Sequence, residues 1–233
     1  MKIPILMYHS VSEGKHPLSV SINNFQKQMN FMNNNGYETI TFDKLNINIP
    51  NKKFFIITFD DGYKDVFVNA LPILKKHNFS SICFFVTDFI GQHNIWDDNK
   101  KNFSRLDLMN IDDIKTWYNN GMSIGAHTSN HKNLKSLNHN EKYSQIIGPK
   151  DFFKKKMSIN IDTFSYPFGS FDNDSINLVK ENYSFAVTTK RSRFISNKFD
   201  PFELPRVPIN KTDNMFKFFL KIKTIYEDIK FRN

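Results

Sequence analysis

Phe54-Phe55-Ile56-Ile57-Thr58-Phe59-Asp60-Asp61-Gly62 is an apolar run of strand length that ends in two carboxylates and a glycine. Neighbouring side chains on an extended segment point to opposite faces, but a glycine turn at the strand's C-terminal end can swing both carboxylates toward one cleft. There one could bind a metal while the other takes a proton. Gly125-Ala126-His127-Thr128-Ser129-Asn130-His131, later in the chain, supplies two imidazoles four residues apart. At that spacing they meet on one side of a helical turn, or of a tight loop entering one, and can share a divalent ion. The two stretches together suggest a metal-dependent hydrolase.

Outward from Phe54-Gly62, short apolar runs alternate with longer amphipathic segments. Strands are expected at Ile3-Tyr8, Phe54-Phe59, Ser81-Val86, Met122-Ala126, Thr163-Tyr166 and Phe185-Thr188. Helices are expected at Ile22-Asn34, Val66-His77, Ile111-Asn119, Glu141-Met157 and Ser175-Glu181, the first opening after Ser21 and the last capped by Asp174. This βα alternation predicts an α/β fold with a largely parallel sheet, as a complete or distorted barrel. His9, Asp60, Asp61, His127 and Pro167-Phe168-Gly169 all fall just after a strand, where parallel α/β architectures place their sites.

At 233 residues, with no repeat and no Gly/Ser/Pro linker, the chain reads as one domain, residues 1-233. A basic amphipathic helix is expected at about 213-230, its apolar stripe on the barrel or on a membrane surface. The net charge of +9 favours an anionic partner such as an anionic lipid or a phosphorylated glycan. No recognition-helix, zinc-finger or Gly-rich phosphate motif accompanies it, which argues against nucleic acid. The single Cys83, in an apolar run, reads as a buried thiol and permits no internal disulfide. The N-terminus lacks the pattern of a secretory signal and no run is long enough to span a bilayer, so the sequence as it stands reads as cytoplasmic, with peripheral membrane contact open.

Thr58-Phe59-Asp60-Asp61-Gly62, His127-Thr128-Ser129-Asn130-His131 and Tyr166-Pro167-Phe168-Gly169 resemble, in order, three motifs of the polysaccharide deacetylase family, also called carbohydrate esterase family 4 or the NodB-homology domain. The resemblance covers roughly residues 3 to 210. It implies a distorted (β/α) barrel that hydrolyses the N-acetyl group of an amino sugar, with Asp61, His127 and His131 as metal ligands, Asp60 as catalytic base and the Phe168 backbone N–H as oxyanion donor. Tyr166 and Pro167 would help to bind substrate. The mixed nitrogen and oxygen ligand set independently fits Zn(II), with Co(II), Ni(II) or Mn(II) also compatible.

Two positions depart from the family pattern. Ser165 stands where the family carries an Arg that orients the base, and no His follows His139 to supply the C-terminal general acid. Leu6-Met7-Tyr8-His9-Ser10-Val11 resembles the opening of a branch in which that last motif is circularly permuted to the front, the branch that includes poly-N-acetylglucosamine deacetylases. A closed barrel allows such a move because its first and last strands are neighbours. By this resemblance His9 is the general acid. Leu204-Pro205-Arg206-Val207-Pro208 is similar to that branch too, and Arg206 is the candidate for the charge missing at Ser165.

Blander readings compete. Asp60 and Asp61 could cap a helix beginning near Asp65, the histidines could be buried hydrogen-bonding groups, and Tyr166-Gly169 could be a structural turn. Trp96 is either a sugar-stacking wall or a hydrophobic anchor. His16, His77, His93 and His139 read as surface or packing residues. The substrate implied is an N-acetylated polysaccharide, oligosaccharide or lipid-linked glycan intermediate. The alternatives are a non-catalytic carbohydrate-binding protein on the same barrel and a hydrolase of a non-sugar amide.

Overall fold

The computed structural model describes residues 2–45, 49–98, 100–101, 103–195 and 198–230. Its centre is a parallel sheet of β1 (Ile5–Tyr8), β2 (Tyr37–Thr39), β3 (Lys53–Phe59), β4 (Ile82–Phe85), β5 (Ser123–Ala126), β6 (Thr163–Ser165), β7 (Phe185–Arg191) and β8 (Leu204–Pro208). The sheet closes because β1 pairs in parallel with both β8, Leu6 opposite Val207, and β3, Leu6 opposite Ile57. The short β2 lies along the start of β3. Around the ring run α1 (Ile22–Asn34), α2 (Leu71–Lys76), α3 (Ile111–Asn119), α4 (His139–Met157), α5 (Asn173–Asn182), α6 (Met215–Lys223) and α7 (Tyr226–Lys230). This is the α/β barrel with distorted closure that the βα alternation predicts.

The alternation of side chains along β3 explains why its sequence is apolar throughout. Phe54 and Ile56 belong to a cluster with Ile5, Ile82, Phe84, Val187 and Leu204, which fills the barrel lumen. Phe55, Ile57 and Phe59 belong to a larger cluster that includes Phe25, Phe79 and Trp117 from the surrounding layer. A strand buried on both faces has no polar side to show. On the lumen side of the same strand, Thr58 and then Asp60 continue the row toward its C-terminal end. Gly125 on β5 is part of this packing, since a Cβ there would come within 2.4 Å of the Phe84 ring. Cys83 is a buried free thiol.

Several local expectations shift. The helix expected at Val66-His77 opens with a widened π turn, Val66–Ala70, before α2. Asp172, not Asp174, caps α5, accepting from the Ser175 N–H, while Asp174 pairs with Lys142 and His139. Asp172 has the better reach because it sits in extended backbone just before the first turn. The C-terminal helix expected at about 213-230 is two helices, broken at Thr224 and Ile225, where the Thr224 hydroxyl turns back to the Leu220 carbonyl. The sheet gains β2 and β8, segments too short or too rich in proline to read as strands from sequence alone. No helix among the described residues is long and apolar enough to cross a membrane.

Candidate metal centre and active site

The C-terminal end of β3 sends its two carboxylates to different tasks. Asp60 stays on the lumen side and meets Arg206, whose Nη1 and Nη2 each donate to one of its oxygens at 2.7 Å. Strand alternation along Leu204-Pro205-Arg206-Val207 turns Arg206 inward, and it is fully buried. Its remaining donors go to the Thr188 carbonyl at 3.0 Å, Thr58 Oγ1 at 3.1 Å and Ser165 Oγ at 3.2 Å. Burial alone would raise the Asp60 carboxyl, but the Arg206 charge and hydrogen bonds outweigh it and hold Asp60 below the usual carboxylate range. Asp60 is therefore ionised at neutral pH.

Asp61 adopts a left-handed backbone (φ 73°) and Gly62 follows in the same region (φ 78°). This reversal brings both carboxylates to one cleft, as the glycine after them suggests, but Asp61 itself shares the turn. A Cβ at Gly62 would press 2.6 Å from the Phe85 ring.

The histidines sit in a tight loop after β5, not on a helix. Thr128 and His131 both take positive φ, and the His131 N–H closes the loop on Thr128 Oγ1 at 2.9 Å. From α4, Gln145 accepts from the Asn130 and Ser129 N–H groups. His127 Nδ1 lies 2.7 Å from the Ser165 carbonyl. A carbonyl only accepts, so Nδ1 carries the proton and Nε2 keeps its lone pair. Burial pushes the His127 pKa down to about 4, keeping the ring neutral. Nε2 of His127 and of His131 stand 3.5 and 3.3 Å from Asp61 Oδ1.

Those three residues offer ligand atoms that all lie within 4.8 Å of one another, in a buried setting. Asp61 Oδ1 is buried without a hydrogen-bond partner. A buried acceptor without a hydrogen bond is costly, and its separations from the two imidazole nitrogens match the roughly 3.3 Å between ligands that share a tetrahedral zinc. The residues present therefore fit a divalent cation. The helix-capping reading of Asp60 and Asp61 fails: the N-cap position, Asp65, makes no capping bond and instead accepts from Ser10 Oγ and the Val11 N–H.

Around the triad is a cleft of about 260 Å³ that also holds His9, Trp96, Tyr166 and Phe168. His9 is half-buried, and burial, its largest influence, lowers its pKa although Asp61 and Asp60 pull the other way. Trp96 stacks on His131, with ring centroids 4.7 Å apart at 23°, so its nearer face belongs to that imidazole. Phe168 meets His131 edge-on at 4.7 Å and has a left-handed backbone (φ 59°) after the buried Pro167. Tyr166 is buried with its hydroxyl unpartnered. His16, expected at the surface or in packing, is buried beside the cleft, with Nδ1 accepting from the Leu18 N–H and Nε2 3.8 Å from Asp97. Thr58 is legible from sequence only as part of its strand motif and Asp97 not at all, since nothing distinguishes their roles until the barrel brings them to Arg206 or the cleft. A second cavity, of about 160 Å³ among Phe42, Ile56, Ile82 and Thr163, contains no such ligand cluster among the described residues.

A closed parallel barrel with a buried Asp-His-His cluster beside an ionised aspartate defines the class as a hydrolase with a triad able to hold a divalent metal. The chain belongs to the polysaccharide deacetylase family, whose sequence profile matches residues 48–184. YxkH of Bacillus subtilis (strain 168), named for the same family, is 30% identical over 196 residues, 81% of this chain and 65% of its own length. This chain thus spans about two-thirds of that relative. A poly-beta-1,6-N-acetyl-D-glucosamine N-deacetylase of Staphylococcus aureus (strain MRSA252) is 26% identical over 93% of this chain and 76% of its own. The crystal structure of a polysaccharide deacetylase from Bacillus cereus superposes with a TM-score of 0.81 at 28% identity, covering 96% of this chain and 69% of that one.

Proposed function

We propose that residues 1–233 act as a single catalytic unit that removes N-acetyl groups from N-acetylated amino sugars of a glycan. The observation that carries this reading is the meeting of the Arg206-held Asp60 with the Asp61-His127-His131 triad in one cleft. The names of the Staphylococcus aureus relatives support an N-acetylglucosamine polymer as substrate, and oligosaccharide or lipid-linked forms carry the same acetamide. A lipid-linked form would bring the enzyme to a membrane surface.

Asp61, His127 and His131 would hold the metal, with zinc the best match to two imidazoles and one carboxylate, and cobalt, nickel or manganese compatible. Bound there, the metal supplies a lowered water pKa and polarises the acetamide carbonyl. Asp60 takes a proton from the attacking water, and Arg206 keeps that carboxylate ionised and aimed. The Phe168 N–H donates to the carbonyl oxygen as negative charge develops on it. His9, whose pKa burial lowers, receives the proton that Asp60 took from water and passes it to the departing nitrogen. The amide C–N bond breaks, and water's oxygen and protons are shared between acetate and a free amine. Tyr166, Pro167 and Trp96 shape the sugar site.

The test is acetate release from N-acetylglucosamine oligomers by metal-loaded protein, with metal-stripped protein and Asp60→Asn as controls. Metal-dependent release that Asp60→Asn abolishes is the expected result. Equal release by the Asp60→Asn protein would remove Asp60 from the chemistry.

A further inference from the structure

Helices α6 and α7 sort their charges by sign. Asp213, Glu227 and Asp228, the acidic residues of 213–230, are all buried. Asp213 pairs with Lys221 at 2.7 Å, Glu227 with Arg191 at 2.9 Å, and Asp228 with Arg193 at 2.6 Å and Lys2 at 2.7 Å. What remains outside is apolar and cationic. Phe216 is 68% exposed, Phe219 43%, Ile225 51% and Ile229 57%. Phe216 and Phe219 are three residues apart and share a face of α6, while Ile225, in the break before α7, accepts from the Ile229 N–H at 3.0 Å one turn further on. Lys217 is exposed beside them, and Lys223 lies over the Phe31 and Tyr37 rings at 5.8 and 5.1 Å. The patch continues onto α1, where Phe31 meets Phe219 at 6.3 Å and the exposed Lys27 stands one turn before Phe31.

We propose that this α6–α7 face docks on an anionic lipid surface, with the phenylalanines and isoleucines entering the acyl boundary and Lys217, Lys223 and Lys27 meeting the headgroups. Charge complementarity selects that occupant. A water-facing helix face ordinarily mixes both signs, whereas here the carboxylates are turned inward. A two-fold contact between copies of the chain would set the same lysines against each other. The inference is independent of the deacetylase reading, since it rests on no residue of the cleft.

Sedimentation with phosphatidylglycerol/phosphatidylcholine vesicles, against pure phosphatidylcholine vesicles, tests it. Wild-type protein should partition at least about ten-fold better onto the anionic vesicles, and the advantage should shrink as salt is raised. Phe216→Ser with Ile229→Ser should cut partitioning about ten-fold or more, and Lys217→Glu about five-fold, with unchanged circular-dichroism melting as the folding control. Equal partitioning onto both vesicle types, no binding to either, or binding unchanged in the double variant would overturn the proposal. So would a concentration-dependent dimer that the double variant abolishes in protein that ignores vesicles.

Discussion

Arg206 and Arg193 are both buried guanidiniums that grip an aspartate through two nitrogens, yet their surroundings are unlike. Around Arg193 every polar group is answered: Asp228 accepts from Arg193 and Lys2, and Arg193 Nη1 reaches the Ile222 carbonyl. That cluster joins α7 to the place where the chain enters β1. Around Arg206 the guanidinium is equally well satisfied, but a few residues away Asp61 Oδ1, His131 Nδ1 and Tyr166 Oη are buried without partners. Left-handed backbone at Asp61, Thr128, His131 and Phe168 gathers in the same place. Folding stability alone would select against unanswered polar atoms and strained backbone, so their concentration at one pair and absence from the other separates a site kept for chemistry from a clamp kept for stability.

Substitutions at the two aspartates should separate these roles. Asp60→Asn should cut acetate release about 10³-fold, the range of a lost general base, while the protein stays folded by circular dichroism. Comparable activity in that variant would place Asp60 with the clamps. Asp228→Asn should do the reverse. It strands the Arg193 charge and should cost roughly 3 kcal/mol in urea unfolding, with turnover per folded molecule unchanged.

The clamp should also show itself in acid. Burial would raise the Asp228 carboxyl, but the hydrogen bonds from Arg193 and Lys2 hold it well below the usual carboxylate range. A depressed folded pKa contributes stability that is fully present above the unfolded value of about 3.9 and is lost as pH falls through the folded one. The gap in melting temperature between wild type and Asp228→Asn should therefore be constant above about pH 5 and close below about pH 4. A gap that persists at lower pH would mean packing, not charge, holds α7.

Smaller effects should come from the cleft wall. Gly169 has φ 63°, and a Cβ there would stand 1.9 Å from Thr189 Oγ1 and 2.9 Å from the Thr189 nitrogen. Gly169→Ala should displace the Phe168 turn, cost about 1–2 kcal/mol of stability and lower kcat about ten-fold. Trp96→Ala leaves the triad's ligand atoms in place but uncovers one face of His131. A rise in KM of about five-fold with a smaller change in kcat is expected, and an unchanged KM would make Trp96 a packing residue only.

Much of this was legible before any coordinates. Runs such as Phe54–Phe59 and the polar residues following them announce a parallel barrel and its functional end, because a strand buried on both faces must be apolar until it leaves the core. The Asp60-Asp61 and His127-His131 spacings point to a metal by donor chemistry alone. The break between α6 and α7 and the capping by Asp172 were not legible, and sequence left His16 open between surface and packing, since each depends on a local hydrogen bond or a neighbour distant in sequence. Trp96 could be named from sequence, but whether it faces a sugar or a histidine could not.

What the sequence determined by itself is the order of elements and the kinds of donor available, both properties of short stretches of chain. What only the tertiary structure decided is partnership. Arg206 reaches Asp60 across 146 residues, and Ser165 spans the gap between that pair and His127. Pairings of that length exist only once β8 closes on β1, because ring closure, not local preference, sets which side chains share the lumen.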